Sequence, residues 1–246
     1  MKKKTAGAIV SPLLFLCLTV FVSAQRVQVD EPEFAKKRQL MVDDQLRARD
    51  ITDRRVLEAM GRVPRHLFID PRFRSEAYED YPLPIEEGQT ISQPYIVALM
   101  TQCLELRGQE KVLEVGTGSG YQAAVLAELA DRIYTIEING ALAKKAAQTL
   151  RRLRYDRVEV KSGDGFFGWK EQAPFDAIII TCAASRVPPP LFDQLKEGGR
   201  LIVPLGETNE VQILTLVTKV KGQAKTKAVS GVRFVPMTGE DKKRKK

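Results

Sequence analysis

Apolar positions along this chain follow a helical rhythm at first and then alternate between short buried runs and helical stretches. Residues 35–49 carry Leu40, Met41 and Leu46 at helical spacing, and a second helix is expected from Asp53, a candidate N-cap, to Met60, ahead of Pro64. Pro71, Pro82 and Pro84 mark an irregular stretch, and a helix is expected over about 95–106. Val112, Leu113 and Val115 form a short run that stops at Gly116, the mark of a strand buried on both faces. Ala123, Ala124, Leu126, Ala127 and Leu129 then return to helix. Further strands are expected at 133–138, 158–160, 177–180 and 201–204, with a helix at 191–195 behind Pro188, Pro189 and Pro190. A turn at 206–209 leads to a hairpin-like pair, 211–220 with 229–235, and no fixed-period repeat is present. Strands alternating with helices predict an α/β fold with a mostly parallel sheet.

The first of these strand–helix junctions carries chemistry. Gly116, Gly118 and Gly120 stand between strand and helix, where a missing Cβ lets the backbone turn sharply and lets a ligand approach. The helix start behind them presents unpaired N–H groups, which outlines a nucleotide-type cofactor site. The dinucleotide fingerprint is G-x-G-x-x-G, whereas this loop reads G-x-G-x-G with Glu114 two places ahead, which disfavours a nicotinamide oxidoreductase. Glu137 lies near the end of the next strand, where an acid can accept hydrogen bonds from both ribose hydroxyls. An ordinary βαβ unit with solvated acids would explain a lone glycine loop; it explains the loop and the second acid together less well. The spacing and Glu114 resemble motif I of the class I S-adenosylmethionine-dependent methyltransferases.

Composition narrows the picture. With 246 residues, 43% hydrophobic and 28% charged, the chain suits one α/β domain with a sizeable core. The formal charge of +8 suggests a nucleic-acid binder until it is located. Lys2, Lys3 and Lys4 at one end and Lys242, Lys243, Arg244, Lys245 and Lys246 at the other account for all of it, so no basic groove is implied. Cys17, Cys103 and Cys182 form no C-x-x-C pair and His66 is the only histidine, which argues against zinc and against a Ser-His-Asp hydrolase. His66 is read as a structural or surface residue. Residues 1–24 read as an export signal: three lysines, an apolar stretch, then Val22-Ser23-Ala24 before Gln25. The organisation expected is therefore a signal-like segment (1–24), a linker (25–34), one domain (35–240) and a basic tail (241–246). Within the domain, 35–94 supplies helices and a loop, and 95–240 the core.

Gly88 to Pro94 reads G-Q-T-I-S-Q-P, which by itself marks a helix start with Ser92 as N-cap and Pro94 in the first turn. Taken with V-L-E-V-G-T-G-S-G-Y-Q, the G-D-G at Gly163 to Gly165 and P-F-D-A-I-I-I-T from Pro174, it resembles the protein-L-isoaspartate O-methyltransferase family. M-V-D-D-Q-L-R from Met41 and V-P-R-H-L-F from Val63 are similar to that family's N-terminal region, so the resemblance runs over about 38–238. It implies a Rossmann-like, doubly wound, mostly parallel seven-stranded sheet with an antiparallel C-terminal strand and an added N-terminal helical region. It implies methyl transfer from S-adenosylmethionine to the α-carboxyl of L-isoaspartyl residues, with no metal, and a succinimide that returns normal aspartate. By resemblance Ser92 is the active-site residue. Glu114, Gly116, Gly118, Gly120, Glu137, Asp164 and Gly165 contact the cofactor, and Thr90, Ile91 and Thr238 the substrate. Beyond Thr238 the sequence departs from the family pattern. A carboxylate is already ionised near neutral pH, so this chemistry needs alignment rather than a general base, and a single histidine is no obstacle. Isoaspartyl proteins and peptides are the expected partners, with no nucleic acid, no stable protein partner and a monomeric state. The signal-like start suggests export to periplasm or medium, while the family and the cofactor supply imply the cytoplasm. A class I methyltransferase with another substrate, and an exported non-catalytic homologue, are the rival readings.

Overall fold

A computed structural model describes residues 31–207 and 210–240. The expected signal-like segment and basic tail fall outside the described residues, as do linker positions 25–30.

Helix α1 (Pro32–Leu40) starts ahead of the expected position 35, because Pro32 occupies its first turn with φ already set for helix. It runs on into a π-helical segment, Met41–Arg47, that buries Met41, Val42 and Leu46. Helix α2 (Arg54–Arg62) is capped as expected: Asp53 accepts from the N–H groups of Arg55 and Val56 at 2.8 and 3.4 Å, a contact worth about 1 kcal/mol. Two 3₁₀ turns, Arg65–Leu67 and Pro71–Glu76, carry the irregular stretch. An antiparallel ribbon follows, β1 (Leu83–Pro84) with β2 (Thr90–Ile91). Helix α3 (Pro94–Cys103) has Gln93 at its N-cap and no side-chain cap. Ser92 is therefore not the cap; Pro94 fixes the helical entry and removes one donor that would need capping.

The core is a seven-stranded sheet. In chain order its elements are β3 (Lys111–Val115), α4 (Tyr121–Ala127), β4 (Arg132–Glu137), α5 (Gly140–Arg152), β5 (Val158–Ser162), β6 (Phe175–Ile180), α6 (Pro189–Gln194), β7 (Leu195–Leu205), β8 (Gln212–Val220) and β9 (Gln223–Val232). The strands lie in the order β5-β4-β3-β6-β7-β8-β9. The first five are parallel and β8 runs antiparallel to both neighbours. Alternate residues of one strand point to opposite faces. Val112, Ile133, Ala177, Ile179 and Ile202 pack with α3, α4 and the N-terminal helices. Leu113, Val115, Tyr134, Ile136, Ile178, Ile180, Leu201 and Val203 pack on the other face with Leu191 of α6. Two buried faces explain why these strands read as unbroken apolar runs.

Two strands differ from expectation. Strand β9 begins at Gln223 rather than near 229 because its first six residues are exposed polar or small residues at the sheet edge and carry no apolar alternation. Lys221 and Gly222, both at positive φ (53° and 74°), make the two-residue turn into it, as a tight hairpin requires. Strand β7 begins at Leu195, directly after α6, and absorbs Gly198 at φ 76° as an irregularity rather than a turn before the strand.

The connections set the site. From β3 the chain moves outward through β4 to β5, then returns across the sheet to β6 on the other side of β3. That reversal opens a crevice at the carboxyl ends of β3 and β6, where open α/β sheets bind ligands.

Candidate functional site

A cavity of about 270 Å³ sits in that crevice. It is lined by residues following β3, β4 and β6, by the β1–β2 ribbon and by the segment 235–238. Thr90, Ile91, Ser92, Glu114, Gly116, Gly118, Glu137, Gly165 and Thr238, scattered over 149 positions of sequence, all line this one cavity. Gly120 and Asp164 do not.

The glycine loop is held by specific bonds. The N–H of Gly116 donates to the Ile136 carbonyl at 2.9 Å, and the loop bends there at φ 99°. The Thr181 hydroxyl donates to the Gly116 carbonyl at 2.7 Å. A Cβ on Gly116 would stand 2.5 Å from that hydroxyl oxygen, so the position takes glycine for two reasons, space and a left-handed backbone. Gly120, at φ 88°, serves instead to pack the loop on α5: a Cβ there would meet Leu150 at 3.3 Å.

Two carboxyls of different character face the cavity. Glu137 accepts from the Gly118 N–H at 2.9 Å and the Asn139 N–H at 3.0 Å, so the end of β4 is stitched to the glycine loop with the carboxylate still able to accept more. Glu114 is fully buried, and neither of its oxygens has a hydrogen-bond partner. Burial pushes its carboxyl up to about 8; the neighbouring Thr135 hydroxyl opposes the rise and the charge on Glu137 adds to it. The hydrogen bond that Thr135 makes is to the Thr117 hydroxyl, at 2.6 Å. An orphaned buried carboxyl lining a cavity is satisfied by a ligand with a donor or a positive charge.

The ribbon carrying Thr90, Ile91 and Ser92 is tied across to α5. Glu86 pairs with Lys145, and the Asn139 amide donates to Glu87 at 3.1 Å. The tip between them turns through Glu87 and Gly88 at φ 59° and 66°. Ser92 itself is half-buried. At the other wall, Ala183 and residues 235–237 exchange backbone bonds of 2.8 and 2.7 Å, which seats buried Met237 and brings Thr238 to the cavity.

Asp164 is engaged elsewhere. Its carboxylate caps the Phe166 N–H at 3.0 Å and accepts from the Glu240 N–H at 2.8 Å. Gly239 packs so closely that a Cβ would lie 2.4 Å from it. The end of the described chain thus covers this acid. Thr181 and Cys182, just beyond the carboxyl end of β6 where open α/β sheets bind ligands, line the cavity too, as do Tyr121 and Gln122, which were not expected there. Tyr121 and Gln122 read in sequence only as the first turn of a buried helix. His66 is structural: it is buried, stacked on Phe34 at 4.2 Å and bonded to the Tyr78 hydroxyl at 2.7 Å. Among the described residues, no cluster of three or more His, Cys, Asp or Glu could hold a metal, and no helix is long and apolar enough to cross a membrane.

The model of the family "Protein-L-isoaspartate(D-aspartate) O-methyltransferase" matches residues 35–242. A relative from Shewanella sediminis, protein-L-isoaspartate O-methyltransferase 2, is 53% identical over 232 residues, covering 92% of this chain and 95% of its own. One from Opitutus terrae, protein-L-isoaspartate O-methyltransferase, is 53% identical over 228 residues, covering 93% and 95%. Among solved structures, a protein-L-isoaspartate O-methyltransferase superposes with TM-score 0.75 at 29% identity, over 84% of this chain and 67% of that one. A Plasmodium falciparum beta-aspartate methyltransferase, solved in complex with S-adenosyl-L-homocysteine, gives TM-score 0.72 at 26% identity, over 82% and 98%.

Proposed function

Because the chain belongs to the protein-L-isoaspartate(D-aspartate) O-methyltransferase family, we propose that the crevice between β3 and β6 is where its methyl transfer takes place. The enzyme moves a methyl group from S-adenosylmethionine to the α-carboxyl of L-isoaspartyl residues in damaged proteins. One observation carries the assignment of the site: Ser92 of the ribbon and the glycine loop line a single cavity.

The residues present fit the cofactor. S-adenosylmethionine supplies an activated methyl on a sulfonium, so no group of the protein has to create an electrophile. Glu114 is among the residues lining the cavity, and its buried carboxyl, without a hydrogen-bond partner, would suit a cationic ligand beside it. Gly116 and Gly118 give backbone approach, and Glu137 offers its remaining lone pairs to ribose hydroxyls. Gly165 lines the cavity and Asp164 stands beside it with its carboxylate held by the Phe166 and Glu240 N–H groups; this pair would hold the adenine. Gly120 supports the loop from behind. Thr90, Ile91 and Thr238 receive the substrate.

Ser92 orients the substrate carboxylate through its hydroxyl or backbone N–H. It is not a nucleophile: the sole histidine, His66, is buried in the N-terminal region against Phe34 and Tyr78. The substrate carboxylate would take the methyl as the sulfonium carbon–sulfur bond breaks and a neutral thioether leaves; the protein contributes alignment and exclusion of water. The test uses labelled S-adenosylmethionine and two peptides that differ only in L-isoaspartate against normal aspartate. Base-labile label on the isoaspartyl peptide alone is the expected result; label on neither, with the cofactor still bound, moves the substrate elsewhere. Ser92→Ala is expected to lower kcat with the thermal midpoint unchanged, and unaltered kcat removes Ser92 from the mechanism.

The chain acts as a monomer that repairs exported proteins. Lys225 and Lys227 on β9 support the first point, because charges on an edge strand discourage pairing with a second sheet. The lysines, apolar stretch and Val22-Ser23-Ala24 of residues 1–24 support the second. Light scattering of the chain from Gln25 checks the first, and fractionation of cells with and without residues 1–24 the second.

A further inference from the structure

Arg65 lies on the 3₁₀ turn Arg65–Leu67, far in sequence from the glycine loop, and none of its surface reaches solvent. Its Nε donates to the Ala77 carbonyl at 2.7 Å, and neither Nη1 nor Nη2 has a hydrogen-bond partner. A buried guanidinium without a carboxylate is costly, and an apolar side chain of similar volume is often the more stable choice at such a place. What an apolar residue would not supply is the interaction the guanidinium makes: it lies over the ring of Tyr121, 4.9 Å from the centroid, within the reach of a cation–π interaction. Burial lowers Arg65 to about 10, so the charge persists at neutral pH.

Tyr121 is the residue through which this interaction reaches the site. It is the first residue of α4, immediately after Gly120, and it lines the cavity. Its ring is gripped from the N-terminal region on three counts: Arg65 over its face, Phe68 edge-on at 5.6 Å and the Met60 sulfur 3.8 Å from its hydroxyl. Of these contacts, only that of Arg65 carries a charge, and its guanidinium is held in turn by the Ala77 carbonyl.

We propose that Arg65 is a positioning residue for the cofactor site, setting the glycine loop through the ring of Tyr121. This rests on the reading that the glycine loop holds S-adenosylmethionine. The Arg65→Met, Tyr121→Leu and double variants are compared with wild type by calorimetric titration of S-adenosylmethionine, by KM for cofactor and isoaspartyl peptide separately, and by thermal midpoint. Arg65→Met is expected to weaken cofactor binding by about five- to thirtyfold, the worth of a cation–π interaction in a desolvated place. The peptide KM is expected to stay within about twofold of wild type, since only the cofactor side is disturbed. Tyr121→Leu is expected to weaken cofactor binding to a similar extent, and the double variant to be no worse than either single one. Arg65→Lys, which keeps a cation over the ring, recovers part of the affinity and replaces Arg65→Met in the cycle if the methionine variant does not fold. A lowered thermal midpoint with wild-type cofactor binding, or additive effects in the double variant, overturns the proposal. Wild-type protein that binds no S-adenosylmethionine would overturn the site assignment instead, so the two failures are distinguishable.

Discussion

At the residue scale, Glu114 makes the sharpest claim on pH. Its folded value, about 8, lies above the ordinary 4.5, so between those values the folded chain holds a proton that the unfolded chain has lost. Stability of the ligand-free protein therefore falls as pH rises from about 4.5 to 8, and Glu114→Gln is expected to flatten that slope in denaturant titrations. A cationic cofactor reverses the preference, because it favours the ionised carboxylate. Binding of S-adenosylmethionine at pH 7 is expected to release protons, read as a dependence of binding enthalpy on the buffer's ionisation heat, and Glu114→Gln to remove the share of that release that Glu114 supplies. Release identical in wild type and variant would take Glu114 out of cofactor contact. Glu137 makes a different claim, because its carboxylate already holds Gly118 and Asn139. Glu137→Ala is expected to weaken the cofactor by about 1.5–3 kcal/mol, the worth of hydrogen bonds to a charged acceptor, and to lower the thermal midpoint as the loop loses its tie. Wild-type affinity by titration would end the ribose assignment.

At the element scale, the strand β3, the glycine loop and helix α4 form one device whose geometry depends on a neighbouring strand. Thr181, beyond β6, bonds the Gly116 carbonyl and leaves no room for a side chain. Gly116→Ala is expected to cost about 1–2 kcal/mol from the left-handed backbone alone, with the clash on Thr181 in addition. The check is a thermal midpoint lowered by several degrees together with abolished cofactor binding; a midpoint equal to wild type would show that the loop can shift without penalty. The same elements show what a sequence discloses. Strands β3, β4 and β6 were legible because both faces are buried and each reads as an apolar run. The first half of β9 was not, since an edge strand made of Gln223, Lys225 and Lys227 has no apolar face to announce it. Glycine spacing located the loop, yet it could not separate Gly116 and Gly118, which face the cavity, from Gly120, which packs against Leu150. Tyr121 and Arg65 were illegible for a related reason. Their meaning lies in an interaction between residues 56 positions apart, and each taken alone reads as a helix start or a turn.

At the scale of the whole molecule, the N-terminal helices and the sheet share one hydrophobic core rather than meeting at a domain boundary. Met41, Leu46, Val56 and Met60 belong to the same buried cluster as Val112, Ile133 and Ile179. Arg55 donates to the carbonyls of Leu106 and Leu129, which ties α2 to the turns around β3 and α4. The β1–β2 ribbon lies between these two parts and is fastened to α5 by Glu86 and Glu87. A cavity lined by residues from both parts of one shared core predicts that cofactor binding stabilises the whole unit. Saturation at about one hundred times the dissociation constant is expected to add about 2.7 kcal/mol, which for a domain of this size raises the thermal midpoint by about 5–10 °C. Calorimetry of the chain from Gln25 is expected to show one transition, shifted as a whole. Two transitions, of which S-adenosylmethionine moves only one, would mean that the N-terminal helices unfold independently of the sheet. In that event Arg65 and Tyr121 would belong to separately melting parts, and the coupling between them would vanish before the site itself came apart.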